Sequence, residues 1–374
     1  MATALDRKPT PQATPFQQLP GDVTASYPQP WPAMLVTRAE IEDEVARLAD
    51  LDYTPNSRRA SEIVHPSSVK GGPAVAPGLS ISINVVRPGE EVELYRDNAS
   101  RVEFILHGEG NALIGSKTLE LAKWTVGSVP SMLKRRYRNA GTELLVWLSY
   151  SNAPLLHRIG GYYSDERASI PRTPLAERSD VEQRYTAKNA PDIPILHDGA
   201  RLRGYEFFTD IEVAENKPLI WPWSDTSPHL CREKGDGKRG LLLLVNPVTG
   251  KAQGTTHSFF AALSRSPAGI QVPLPPRGHK HSSFAVNYHF EGQGESYVDG
   301  QHYEWRAGDL MLSAPSWGEH AHGFTGASVL TVQDHPFHLS MESLIWQEDM
   351  SGPILTLGSE EGQTGYVAPR QIGE

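Results

Sequence analysis

His279-Lys280-His281-Ser282-Ser283-Phe284-Ala285, taken together with Pro315-Ser316-Trp317-Gly318-Glu319-His320, decides how this 374-residue chain folds. Side chains alternate across a β-strand, so histidines two positions apart project from one face. His279 and His281 then form a chelating pair. A third ligand has to arrive from another strand, and the turn signals Glu291-Gly292-Gln293-Gly294, Asp299-Gly300 and Ala307-Gly308-Asp309 fold the intervening chain back on itself. His320, five positions after Pro315, returns to the same mouth. Three neutral imidazoles with open coordination positions suit Fe(II), Mn, Ni, Cu or Zn, whereas Ca and Mg prefer oxygen ligands. A His-x-His pair alone is weak evidence. Here eight of the fourteen histidines fall between positions 279 and 338, which concentrates imidazole chemistry in this one segment.

With 33 glycines and 30 prolines, the chain breaks into short strands bounded by turns, and the fold class is all-β with a few short helices. The best helical stretch runs from Thr37 to Leu51: Thr37 can cap it, acidic residues fill its first turn, and Ile41, Val45 and Leu48 share a face for packing on a barrel or a neighbouring subunit. A chain of this length is most naturally two domains. A net charge of -9 with no basic run argues against nucleic-acid binding, and no apolar run reaches membrane-spanning length. Cys231 is the only cysteine, read as a reduced, partly buried thiol, so an internal disulfide and a cysteine metal cluster are excluded. Met1 to Pro30 lacks a signal-peptide pattern, and a cytoplasmic location is expected.

An internal repeat appears once the turns are aligned. Ile81 to Val86, Pro88-Gly89-Glu90, Arg101 to Leu106, Gly108-Glu109-Gly110 and Val129-Pro130 recur in order as Ala261 to Ser264, Ala268-Gly269, Ala285 to Phe290, Gly292-Gln293-Gly294 and Ala314-Pro315. Setting Gly108 on Gly292 puts Tyr95 at the place of His279 and Asp97 at that of His281; setting Pro130 on Pro315 puts Arg135 at that of His320. An arginine stays protonated and cannot serve as a ligand. The first copy is therefore expected to lack a metal. The loop through Pro273, Pro275 and Pro276 is longer than its counterpart in the first copy and forms either a stiff hairpin or a substrate lid.

These features resemble the gentisate 1,2-dioxygenase family of bicupins, which includes salicylate and 1-hydroxy-2-naphthoate dioxygenases. The resemblance rests on Gly108-Glu109-Gly110, Leu144-Leu145-Val146-Trp147-Leu148, Asn246-Pro247-Val248-Thr249-Gly250, the segment from His279 to Ala285, Pro315-Ser316-Trp317, Asp334-His335-Pro336 and Leu344-Ile345-Trp346. It implies two tandem β-sandwich or jelly-roll cupin barrels: residues 1–58 a tail and helix, 59–165 a barrel without ligands, 166–205 a linker, 206–355 the metal-binding barrel, and 356–374 a tail. It further implies one Fe(II) per chain, O2 as co-substrate, a small aromatic substrate and a homo-oligomer, dimer or tetramer. Ala285 stands where many cupins carry a glutamate, as it does in this family. Three features depart from the pattern. The intact triad lies in the second barrel, not the first, and an arginine that the family uses to hold the substrate carboxylate falls at Asn287. The aspartate of the family's Trp-His-Asp-His run is Ala321, followed by His322.

The residues thus singled out are His279, His281 and His320 as metal ligands; His322 and Asn287 as catalytic and substrate-binding groups; and His289, Arg265 and Trp317 as further pocket residues, Ser264 beside them. Arg135, Arg136 and Arg138 read as a solvated or interfacial charge cluster. The expected activity is Fe(II)-dependent extradiol-type cleavage of a hydroxybenzoate such as gentisate, salicylate or hydroxynaphthoate. The alternatives are cleavage of a non-carboxylated phenol such as hydroquinone, another metal-dependent cupin reaction (isomerase, hydrolase or β-diketone dioxygenase), and a non-enzymatic binding bicupin.

Overall fold

The computed structural model describes residues 26–52, 58–68, 72–165, 190–195, 197, 199–209, 216–230, 240–266 and 268–357. Cys231, the stretch 1–25, most of the expected linker and the end of the chain lie outside these. Among the described residues no helix is long and apolar enough to cross a membrane.

The fold is a bicupin. In the first barrel a six-stranded antiparallel sheet, with Arg101–His107, Leu145–Ser151 and Ser80–Val86 at its centre, faces a four-stranded one made of Glu91–Leu94, Arg135–Arg138, Gly110–Ile114 and Lys117–Leu121. The second barrel is one continuous sheet, because two fourteen-residue strands, Ala285–Val298 and His320–Gln333, run through both of its walls. Their mutual register slips at Glu291, and next to this bulge Gly292 takes a φ of 79° with its α-carbon so close to Gly326 and Ala327 that a side chain would collide. The strands curl over at that point. Ala285 pairs with Gln333 at one end of the ladder and Val298 with His320 at the other.

The barrels exchange strands. Leu219–Trp221, in the stretch assigned to the second barrel, hydrogen-bonds to Val126–Val129 of the first, and Met34–Val36, from the N-terminal segment, pairs with Leu310–Ala314 of the second. Alternation explains how the two sheets meet: Ile81, Ile83 and Val85 turn outward from the first lumen, Val286, Tyr288 and Phe290 from the second, and all six join one buried cluster. Phe104 packs against Tyr288 and Phe290 with ring centroids 5.8 and 5.4 Å apart. The helix Arg38–Asp50 closes this seam. Thr37 and Glu40 form a capping box, and Ile41 and Leu48 enter the shared core.

Arg135 departs from the charge-cluster reading. On its strand Arg135 and Tyr137 face the first lumen and are 3% and 0% exposed, while Arg136 and Arg138 face solvent. The period of two separates neighbours that a linear reading groups together.

Candidate metal centre

Backbone pairing sets the triad. His279 and His320 form an isolated antiparallel bridge, each N–H donating to the other's carbonyl at 3.1 and 2.9 Å. Their chains approach so closely that a Cβ on Gly278 would strike the His320 carbonyl. Two residues on, His281 pairs with Trp346. The three imidazoles turn to one side, offering ligand atoms within 4.8 Å of one another.

The ring nitrogens are sorted by their outer contacts. His281 Nδ1 lies 2.8 Å from the Ser283 carbonyl and His320 Nδ1 lies 2.9 Å from the Gly318 carbonyl. A carbonyl only accepts, so each Nδ1 carries the proton and each Nε2 presents its lone pair. Burial, reinforced by the neighbouring His320 and His279, holds the His281 pKa far below the usual histidine range; burial and His279 bring that of His320 down to about 3. Both rings stay neutral, the form that binds a metal. Three neutral nitrogen donors with no carboxylate among them fit a transition metal.

Two groups that the sequence reading left without a role complete the mouth. The Trp346 indole lies parallel to the His279 ring, with 3° between planes and 5.2 Å between centroids, and 5.0 Å from the His281 ring. Gln333 Nε2 donates to Ser283 Oγ at 2.7 Å and lies 3.4 Å from His281 Nε2. Trp346 belongs to the Leu344-Ile345-Trp346 run, which by itself does not show a neighbour of the site, and nothing local marks Gln333. Only its pairing with Ala285 brings it there.

The remaining candidates separate by depth. His322 shares the face of His320, with ring centroids 5.7 Å apart, and its Nδ1 meets Ser296 Oγ at 2.9 Å. Asn287 sits one layer below the mouth: its amide donates to Ser313 Oγ at 2.8 Å and its carbonyl accepts from Thr331 Oγ1 at 2.7 Å. His289 lies deeper, stacked on Trp305 at 3.7 Å with Nδ1 3.2 Å from the Asp309 carbonyl, and burial lowers its pKa to about 3. It is a packed core histidine. Trp317 sits beneath Lys280, whose ammonium lies 4.7 Å from its ring, on the side of the strand opposite the two histidines. Arg265 lies at the bend of the long strands, over the Trp223 ring and 3.8 Å from Glu291, and buried Ser264 precedes it on the same strand. Neither Trp317 nor Arg265 is brought to the mouth. The proline-bearing loop runs along the His320–Gln333 strand, pairing Gln271 with Thr325 and bridging Arg277 to Glu319 at 2.8 Å.

No family model matches the chain. It is 23% identical over 305 residues to a 1-hydroxy-2-naphthoate 1,2-dioxygenase from Nocardioides sp. strain KP7, covering 79% of this chain and 71% of that protein. It is 27% identical over 154 residues to a 5-nitrosalicylic acid 1,2-dioxygenase from Bradyrhizobium sp., covering 38% of this chain and 72% of that one. Among solved structures, a salicylate 1,2-dioxygenase from Pseudaminobacter salicylatoxidans superposes with a TM-score of 0.67 at 16% identity, covering 88% of this chain and 92% of its own. The same enzyme with gentisate adducts gives 0.66, also at 16% identity, over 87% of each chain. The two sequence relatives are dioxygenases of hydroxylated aromatic acids, and the solved structures share the double-barrel fold, so the chain is similar to the bicupin dioxygenases of salicylate and 1-hydroxy-2-naphthoate.

Proposed function

We propose that this protein is an Fe(II)-dependent dioxygenase that opens the ring of a small hydroxybenzoate-class acid, with one iron per chain in the second barrel and O2 as co-substrate. The observation that carries the reading is the convergence of His279, His281 and His320 with no carboxylate among them. His279, His281 and His320 would hold the iron through neutral nitrogens, and the metal would supply an uncompensated positive charge and Lewis acidity toward an anionic substrate and O2.

The chain's own part is positional. The Ser283 and Gly318 carbonyls fix the ligand rings, and Trp346 keeps water from one flank. Gln333 offers an amide beside the ligand face, and Ser296 steadies His322, which is placed to donate a proton to substrate or oxygen. Asn287, held between Ser313 and Thr331, presents a neutral amide layer below the mouth. The substrate carboxylate therefore finds hydrogen bonds there but no countercharge. That same neutrality favours, as a second reading, a non-carboxylated phenol of the hydroquinone type. A homo-oligomer, dimer or tetramer, belongs to the proposal through the family resemblance.

Anaerobic loading with Fe(II), followed by oxygen uptake and product analysis on a panel of salicylates, gentisates, hydroxynaphthoates and hydroquinones, tests it. Ring-opened product with one O2 consumed per substrate is expected. An iron-loaded protein inert to the whole panel would refute the reading.

A further inference from the structure

The first lumen holds a cavity of about 180 Å³, and its lining is charged where the second barrel carries imidazoles. Asp97, at the place of His281, accepts from Arg101 at 2.7 and 2.6 Å and lies 3.3 Å from Arg135, at the place of His320. Arg101 stands where the second barrel has Ala285. The carboxylate of Asp97 thus sits between two buried guanidinium groups. The other interior acid, Glu103, accepts from the Tyr137 hydroxyl through both oxygens, and burial raises its pKa toward the neutral form. At the rim Arg58 is matched by Glu62. Two guanidinium groups, Arg101 and Arg135, thus share the single carboxylate of Asp97.

Two donors there have no acceptor. Among the described residues, Arg135 Nε and Trp147 Nε1 lack a hydrogen-bond partner, although these residues are 3% and 1% exposed and both line the cavity. Buried N–H groups are nearly always paired, and an unmet pair in one cavity marks where an acceptor belongs. Stability does not explain the arrangement, because packed apolar side chains serve at least as well as a buried ion cluster. The lower part of this barrel is filled in that way, by Val92, Ile105, Ala112 and Leu119 among others.

We propose that the first barrel binds a small organic carboxylate, its oxygens received by Arg135 Nε–H and Trp147 Nε1–H. The fixed guanidinium charge takes the place that a metal ion would hold in the second barrel. The cavity is smaller than the range of about 300–1,000 Å³ usual for drug-sized ligands, which limits the guest to a short-chain or single-ring acid.

Benzoate is the probe, because without an adjacent hydroxyl it cannot chelate a metal through two ring substituents. It is titrated calorimetrically into the metal-stripped full-length chain. Saturable one-to-one binding is expected, weakened about tenfold or more by Arg135→Met and unchanged by His281→Ala. In the parent chain, the Trp147 indole N–H resonance, assigned through its loss in Trp147→Phe, is expected to shift at saturation. The proposal would be overturned by no saturable binding, by undiminished binding in a folded Arg135→Met, or by loss of binding in His281→Ala. An unmoved Trp147 resonance at saturation would overturn it as well, and this readout decides the matter if Arg135→Met does not fold.

Discussion

The indole of Trp346 lies parallel to the imidazole of His279, 3° from coplanar and 5.2 Å away. These residues are 67 positions apart in sequence and meet because the strand Ile345–Gln347 pairs with Lys280–His281. His279 is the more accessible ligand, half-buried where His281 and His320 are buried. The indole supplies the flat wall that limits its rotation.

Trp346→Ala is accordingly expected to lower metal affinity by about 10-fold to 100-fold, the usual cost of removing a group that orients a ligand. Trp346→Phe, which keeps an aromatic face, is expected to retain most of it. Competition against a chelator of known affinity measures both.

His281→Ala is expected to abolish stable metal binding, since a three-histidine site has no ligand to spare. Elemental analysis of the dialysed protein should fall from about one metal per chain to background. Full retention would place the metal elsewhere, with Tyr95 and Asp97 the positions to inspect.

Asn287→Arg tests the neutral layer. A guanidinium at this depth is expected to shift preference toward gentisate-like acids over matched phenols lacking the carboxylate, because it supplies the planar countercharge. It also disrupts the contacts to Ser313 and Thr331, so a stability loss of about 1–3 kcal/mol is expected alongside. Steady-state kinetics on the matched pair decides the specificity claim, and an unchanged ratio would put this side chain out of reach of substrate.

His289 provides a stability switch away from the ligands. Burial lowers its pKa to about 3, whereas the unfolded chain has an ordinary histidine. Between these values the unfolded state binds more protons, so the contribution is fully present above the unfolded pKa and is lost as pH falls below it. About 2 kcal/mol should be lost by pH ~5 relative to pH ~8. Denaturant midpoints of the metal-free protein at the two pH values, compared with His289→Phe, test it; an equal pH dependence in the variant would show that another group is responsible.

Much of the site was legible because period-two alternation is a local property. It put His279 and His281 on one face, it put Asn287 and His289 on a common inward face, and the turn glycines brought His320 back. The helix Arg38–Asp50 was equally legible, since its capping box and its apolar spacing lie within one short segment. The repeat offsets held for the same reason: Asp97 and Arg135 occupy neighbouring places in the first lumen, 3.3 Å apart.

Depth and partnership were decided by the tertiary structure alone. Alternation states which side of a strand a residue takes, not how far along a barrel that side remains a site. His289 thus became core against Trp305, and Arg265 fell at the bend beside Glu291. Trp317 went to the back of the metal-bearing strand because Lys280, between the two histidines, points that way. Gln333 and Trp346 reached the mouth only through long-range pairing, with Ala285 and with His281. Such pairings depend on how two long strands curl at a bulge near Gly292 and on which segments close the barrel, and these result from packing the whole sheet against its neighbour rather than from any single stretch of residues.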